Sequence, residues 1–309
     1  MEMMKEFLED ELPFYIKRIT KKYYIIRRSE LGAGFFSNYL WVLGHVVFAQ
    51  KLGYIPVVDM ENYPTLYSED VPVKGIYNAW NYYFENIEEA SLEEAYQSKK
   101  YVLARIKYLK KYSDCFCQGI YRLPSKKTID FYTPYINKYM KIREDILEEF
   151  NNKFRSVYKE NTKILGVHIR GTDMKNNLGH PIPAPTEHYL MKVKQLLNFD
   201  SAYQSIYLAS DEIDVIEQFQ QEFENSKIQL IFQDAFRVRD TEQKKKSGLH
   251  EIVPKHVREL HKYRMGLEVL EDAFFLSKCD SLICGHSNIT NVAIIWNDKK
   301  YEKIVIVEK

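Results

Sequence analysis

Apolar positions change rhythm along this chain near Asn161, and the change divides it into two α/β halves. Before that point the pattern is mixed. Tyr23 to Arg27 predicts a short strand, Gly32 to Ser37 a turn, Asn38 to Leu52 a helix, and Ile55 to Asp59 a second strand. Asn78 to Leu109 mixes aromatic and charged residues and reads as helical in parts. From Asn137 to Lys159, Met140, Ile142, Ile146, Phe150 and Phe154 mark a long amphipathic helix that bridges the halves. Beyond Asn161, apolar runs at Ile164–Ile169, Ser205–Ala209, Ile228–Phe232, Ser281–Cys284 and Ile304–Val307 alternate with helical stretches. Short strands separated by helices imply a parallel sheet with crossover helices. Asp234 to Glu259 breaks the rhythm as a long polar segment carrying Lys244, Lys245 and Lys246. A connection that long is functional or mobile. It is expected near the mouth of the ligand cleft, and a solvated insertion away from it fits the composition equally well. There are no internal repeats.

Composition narrows the classes. At 309 residues the chain has about two ordinary domains' worth of sequence. A net charge of +1 provides no basic field, so nucleic acid is not an expected partner. Charges interrupt MEMMKEFLEDELPFYIKR every few residues, so no leader is expected there. The longest apolar stretch, Leu40 to Ala49, is broken by Gly44 and His45 and is too short to cross a bilayer. The expectation is a cytoplasmic protein without a transmembrane segment, whose only membrane contact would be peripheral, at the inner face. Oligomeric state cannot be read from the pattern. Of the cysteines, Cys115 and Cys117 lack zinc spacing, and Cys279 and Cys284 sit in apolar context, so buried reduced thiols are expected.

Candidate chemistry lies at the strand ends. In GVHIRGTD a strand delivers His168, Arg170, Thr172 and Asp173 to its C-terminal end, where open α/β sheets bind ligands. Arg170 can grip a phosphate with two parallel hydrogen bonds, which lysine cannot. In isolation, an Arg–Asp pair tying down a loop would explain the motif as well. A second cluster follows a helix marked by Leu267, Leu270, Phe274 and Ser277. Ser281 to Cys284 form a strand, and Gly285, His286, Ser287 and Asn288 precede another apolar helix. A helix N-terminus after a small polar turn is an anion site, because its first N–H groups are unpaired. The plainer reading makes Ser287 or Asn288 an N-cap. Gly32-Ala33-Gly34, with Asp59 ending the next strand, also matches the outline of a dinucleotide or S-adenosylmethionine site. Ser37 stands where its third glycine belongs, and Phe35 and Phe36 crowd the turn. A methyltransferase or oxidoreductase is therefore the rival reading.

Together these segments resemble the GDP-fucose-dependent fucosyltransferase superfamily, which contains the α1,6-core, nodulation-factor and protein O-fucosyltransferases; the chain is similar to a bacterial-type member. GAGFFSNYLWVLGHVVFAQKLGY is similar to the family's glycine turn and helix, and GVHIRGTD to its HxRRxD segment. LEDAFFLSKCDSLICGHSN is similar to its D-x-x-FLS-x-x-D segment, and NAWNYYFE to a tryptophan–aromatic stretch of some members. Gly171 stands where many members carry a second arginine.

The resemblance implies an α/β, GT-B-like fold of two Rossmann-type domains facing a cleft. Residues 1–160 would form the acceptor side and 161–309 would bind the nucleotide sugar. It implies inverting transfer of L-fucose from GDP-β-L-fucose to a glycan acceptor, a surface polysaccharide or similar. Gly32, Gly34 and Asn38 would face the donor's phosphate and sugar. His168 and Asp272 would form the guanine pocket, the carboxylate accepting from the N1–H and N2 amino edge. Glu271 would point a quarter turn away on the same helix. Arg170, with backbone amides near Ser287, Asn288 and Gly34, would stabilise the leaving β-phosphate. For the base, Asp173 and His180 are the candidates, while Glu187 suits the first turn of a helix over Thr186 to Leu197. No DxD pair occurs, so neither a metal nor a resident cofactor is implied, and GDP-fucose is a substrate. The absence of the second arginine also admits an inactive carbohydrate-binding relative.

Overall fold

A computed structural model describes residues 21–28, 32–87, 90–106, 108, 115, 122–158, 162–171, 182–239, 258–298 and 300–309. The N-terminal half is built on a parallel sheet of order β2-β1-β3. Its strands are β1 (Tyr23–Ile26), β2 (Ile55–Val58) and β3 (Tyr101–Leu103). All four residues of β1 are buried because both faces are covered. Tyr24 and Ile26 pack with the core of α1 (Phe35–Lys51), whereas Tyr23 and Ile25 pack with Ala95 of α2 (Leu92–Gln97). The pattern gave no sign of β3. It is a three-residue edge strand whose Tyr101 is 39% exposed, so it carries no apolar run to mark it.

Two helices follow, α3 (Lys126–Tyr139) and α4 (Glu144–Val157), where one long helix was expected over 137–159. The break has a tertiary cause. Glu85 N–H donates to the Lys141 carbonyl (2.9 Å) and Arg143 N–H to the Tyr83 carbonyl (2.9 Å). Residues 141–143 are thereby held extended against Tyr83–Glu85, and local helix propensity loses to that pairing.

The C-terminal half is an all-parallel sheet of order β6-β5-β4-β7-β8. In chain order it comprises β4 (Lys163–Ile169), α5 (Thr186–Phe199), β5 (Tyr203–Ser210), α6 (Ile213–Phe223) and β6 (Gln229–Ile231). These are followed by α7 (His261–Lys278), β7 (Ser281–Cys284), α8 (Asn288–Trp296) and β8 (Lys303–Ile306). Each strand lies within two residues of its predicted bounds, because buried parallel strands read as short apolar runs. Leu165, Val167, Ile206 and Leu208 face α5 and α6, while Tyr207, Ala209, Leu282 and Cys284 face α7 and α8. At Gly166 a Cβ would meet Cys279 and Leu276 at 3.2 Å, so glycine lets the end of α7 approach β4.

The expected α/β, GT-B-like plan of two parallel sheets is present, one sheet on each side of residue 160. One hydrophobic cluster nevertheless runs through both halves. Trp296 of α8 packs on Phe36 and Tyr39 of α1, and Phe150 and Phe154 of α4 pack on Phe274 and Phe275 of α7. No helix among the described residues is long and apolar enough to cross a membrane. Cys115, Cys279 and Cys284 are buried free thiols; Cys117 lies outside the described residues.

Candidate functional site

The topology brings the C-terminal ends of β4, β5 and β7 side by side. Arg170 follows β4, Asp211 follows β5, and the Gly285 turn follows β7. Arg170 Nη1 lies 3.2 Å from Asp211 Oδ2, and the Gly171 N–H donates to Asp211 Oδ1 at 3.0 Å. The Arg170 side chain stays 26% exposed. It lines a cavity of about 210 Å³ with Tyr189, Gly285 and His286. Beside it, Glu212 is buried, and a Cβ at Gly171 would land on its carboxylate. Arg237 braces this rim by donating to the carbonyls of Ser210 (3.0 Å) and Gln233 (2.8 Å). Its neighbour Val238 accepts from Ile213 N–H at 3.0 Å. The start of the long polar segment therefore runs along the end of β5. Residues 240–257, with Lys244, Lys245 and Lys246, lie outside the described residues.

His168 is the last inward-facing residue of β4 and is 3% exposed. Its Nδ1 sits 3.0 Å from Thr290 Oγ1 and 3.3 Å from Ser287 Oγ. Burial, helped by the Arg170 charge, drives its pKa down to about 4, so the imidazole is neutral. Ser287 is the N-cap of α8, its hydroxyl accepting from Thr290 N–H at 3.0 Å. Asn288 is the first helical residue, and its amide and that of Ile289 have no partner within the helix. The strand thus places Arg170 beside a helix N-terminus, an electrostatic setting that favours an anion.

Asp272 lies on the inner face of α7 and accepts from the Tyr207 hydroxyl at 2.7 Å. Burial pushes its carboxyl up to about 7, against the pull of Tyr207, Gln233 and Arg237. Glu271 points another way, as helix geometry requires, and meets Lys153 at 3.0 Å. Tyr207, Gln233, Glu268 and Glu271 line a cavity of about 490 Å³. His168 is hydrogen-bonded to the α8 cap and Asp272 to β5, so the two expected nucleobase contacts have separate supports.

The glycine turn is built differently from the expectation at one point: α1 begins at Phe35, so Asn38 is already in its first turn. Gly32 has φ +95°, which only glycine adopts readily. Gly34 is the N-cap with ordinary backbone angles, and a Cβ there would meet no atom within 4 Å. Neither strain nor packing calls for glycine at 34, and the space above it is open. Asn38 is 5% exposed and accepts from Arg28 Nη1 at 3.3 Å, while Ser37 accepts from the same nitrogen at 3.1 Å. Asp59, which completes the pattern of the rival reading, is fully buried. It accepts from Asn62 N–H at 2.9 Å and from the Tyr96 hydroxyl at 2.6 Å, so its carboxylate is spent on the fold.

Neither a family model nor a curated protein matches the sequence. Solved structures match in fold. NodZ α-1,6-fucosyltransferase soaked with GDP-fucose aligns with a TM-score of 0.54, covering 93% of this chain and 95% of its own at 16% identity. Fucosyltransferase NodZ from Bradyrhizobium gives 0.52, with 89% and 93% covered at 15% identity. POFUT1 in complex with GDP gives 0.51, with 93% and 98% covered at 10% identity. The fold is similar to that of fucosyltransferases.

On this fucosyltransferase-like fold, Arg170, His168, Ser287 and Asn288 lie at the C-terminal ends of the neighbouring strands β4 and β7, while Asp272 is tied to Tyr207 of β5. Gly32, Gly34 and Asn38 open α1 in the other half. Thr172 and the candidate bases Asp173 and His180 lie outside the described residues. Glu187 is an exposed first-turn carboxylate of α5, as expected. Asp211 and Glu212 were missed. The signal was present, since SDE directly follows a buried strand in a parallel sheet.

Proposed function

We propose that this protein is an inverting glycosyltransferase that transfers L-fucose from GDP-β-L-fucose to a glycan acceptor. The observation that carries the reading is Arg170, held at the end of β4 beside the α8 N-terminus with its guanidinium still partly exposed. Charge builds on the β-phosphate as the C1–O bond breaks. A fork of N–H donors and unpaired helix amides, fixed before the reaction, stabilises that charge without reorganising. Such a donor typically contributes about 3 kcal/mol. Asp272 supplies a carboxylate for the guanine edge, and Gly34 leaves room above the α1 N-terminus for the donor's phosphates or sugar. The acceptor hydroxyl attacks from the opposite face, its proton passing to Asp173 or His180. Arginine and helix ends can carry out these roles without a metal. The fold relatives NodZ, soaked with GDP-fucose, and POFUT1, in complex with GDP, support the same donor class.

Inversion makes a stereochemical prediction. Incubated with GDP-β-L-fucose in water or with acceptor, the protein should first release or transfer the sugar as the α-anomer, observed by proton NMR before mutarotation. A β-configured first product would overturn direct displacement, and an intact donor with every acceptor offered would favour an inactive relative.

A further inference from the structure

We infer that Asp211 is the positioning residue of the phosphate site, fixing Arg170 through one carboxylate oxygen and the peptide after it through the other. The inference rests on the reading of Arg170 as a donor-phosphate ligand. Parallel pairing sets Ile169 opposite Ser210, so the first residues past the two strands, Arg170 and Asp211, are neighbours by register. Asp211 Oδ2 lies 3.2 Å from Arg170 Nη1, and Oδ1 accepts from Gly171 N–H at 3.0 Å. Two contacts on one carboxylate define both the direction of the guanidinium and the turn of the backbone beneath it. The Asp211 side chain is 13% exposed, which keeps water from competing strongly for either contact.

Glu212 makes this positioning matter more. Its buried carboxylate occupies the space that a side chain at position 171 would need, so a second arginine on this turn would have to displace Glu212. Where two arginines share a diphosphate, either can shift and the other still holds. With one on this turn, its aim decides the contact. A bare arginine with a long flexible stem would spread over several rotamers; an ion pair with a strand-end carboxylate selects one.

The test compares GMP and GDP, because the difference between them isolates the β-phosphate. Calorimetric titration of both nucleotides is made against wild type, Asp211→Asn, Arg170→Ala and the double variant. Asparagine keeps an oxygen for the Gly171 amide but loses the ion pair. Asp211→Asn is expected to bind GMP like wild type and to lose about tenfold of the preference for GDP. In the Arg170→Ala background the same change should have no further effect on that preference, a coupling that general damage would not produce. If Asp211→Asn does not fold, Asp211→Glu, which moves the charge by one methylene, gives the same readout with the same expected sign. A wild-type GDP/GMP ratio in the single variant, or a loss that persists without Arg170, would overturn the inference alone. Wild type that binds neither nucleotide, or binds both equally, would overturn the donor-site reading itself.

Discussion

Asp272 has its carboxylate against the Tyr207 hydroxyl, and burial pushes its pKa up to about 7. The guanine edge offers two donors, so only the ionised carboxylate can accept both. GDP affinity should therefore weaken as pH falls from about 8 to about 6, and Asp272→Asn should flatten that profile and narrow the preference for GDP over UDP. Stability runs the other way. The folded pKa is raised above the ordinary 3.8, so the stability tied to the neutral carboxyl is complete below 3.8 and is lost as pH rises through about 7. Calorimetry and thermal melts across that window should move in opposite directions. A flat GDP profile in wild type would mean that Asp272 only ties α7 to β5. At this scale the sequence was informative where spacing carries the information. Arg170, His168 and Ser287 follow from strand-end and cap positions, and Glu271 from the turn of a helix. Asp211 and Glu212 did not stand out, because their meaning lies in pairing across strands, which linear spacing does not express. Asp59 looked available in the sequence and is not, since Asn62 and Tyr96 converge on it only after folding.

Helix α8 is the element on which the proposed anion site depends. Its N-cap, Ser287, has one hydroxyl serving the Thr290 amide and facing the His168 ring. Ser287→Ala removes both and should cost about 1 kcal/mol. In a single cooperative body of 309 residues that is a fall of roughly 1–2 °C in melting temperature. Asn288→Ala, one residue inside the helix, should melt close to wild type, and equal melting of all three proteins would contradict the cap assignment. The strands of the second sheet were legible because each is buried on both faces and reads as an apolar run. Strand β3 was not, being an edge with exposed residues. The α3–α4 break was invisible for another reason: its cause is backbone pairing with Tyr83–Glu85, some sixty residues away in sequence. The start of α1 fell three residues early because Gly34, rather than a side-chain cap, begins it.

For the whole molecule, the two sheets share one core. Trp296 donates to the Tyr39 hydroxyl at 3.1 Å, and Tyr83 donates to the Tyr263 carbonyl at 3.0 Å across the halves. At Gly266 a Cβ would meet the Tyr83 hydroxyl, so α7 admits the other half only because that position is bare. The proposed donor-site residues on the second sheet and the open α1 turn on the first are thus parts of one packed body, which suits a substrate held by both. A guanine nucleotide diphosphate is proposed to bind this body at the end of its second sheet. The most direct measurement is calorimetric titration of the wild-type protein with GDP, UDP and S-adenosylmethionine in parallel. GDP is expected to bind about tenfold or more tightly than UDP, with no heat from S-adenosylmethionine; binding of S-adenosylmethionine with none of GDP would contradict it.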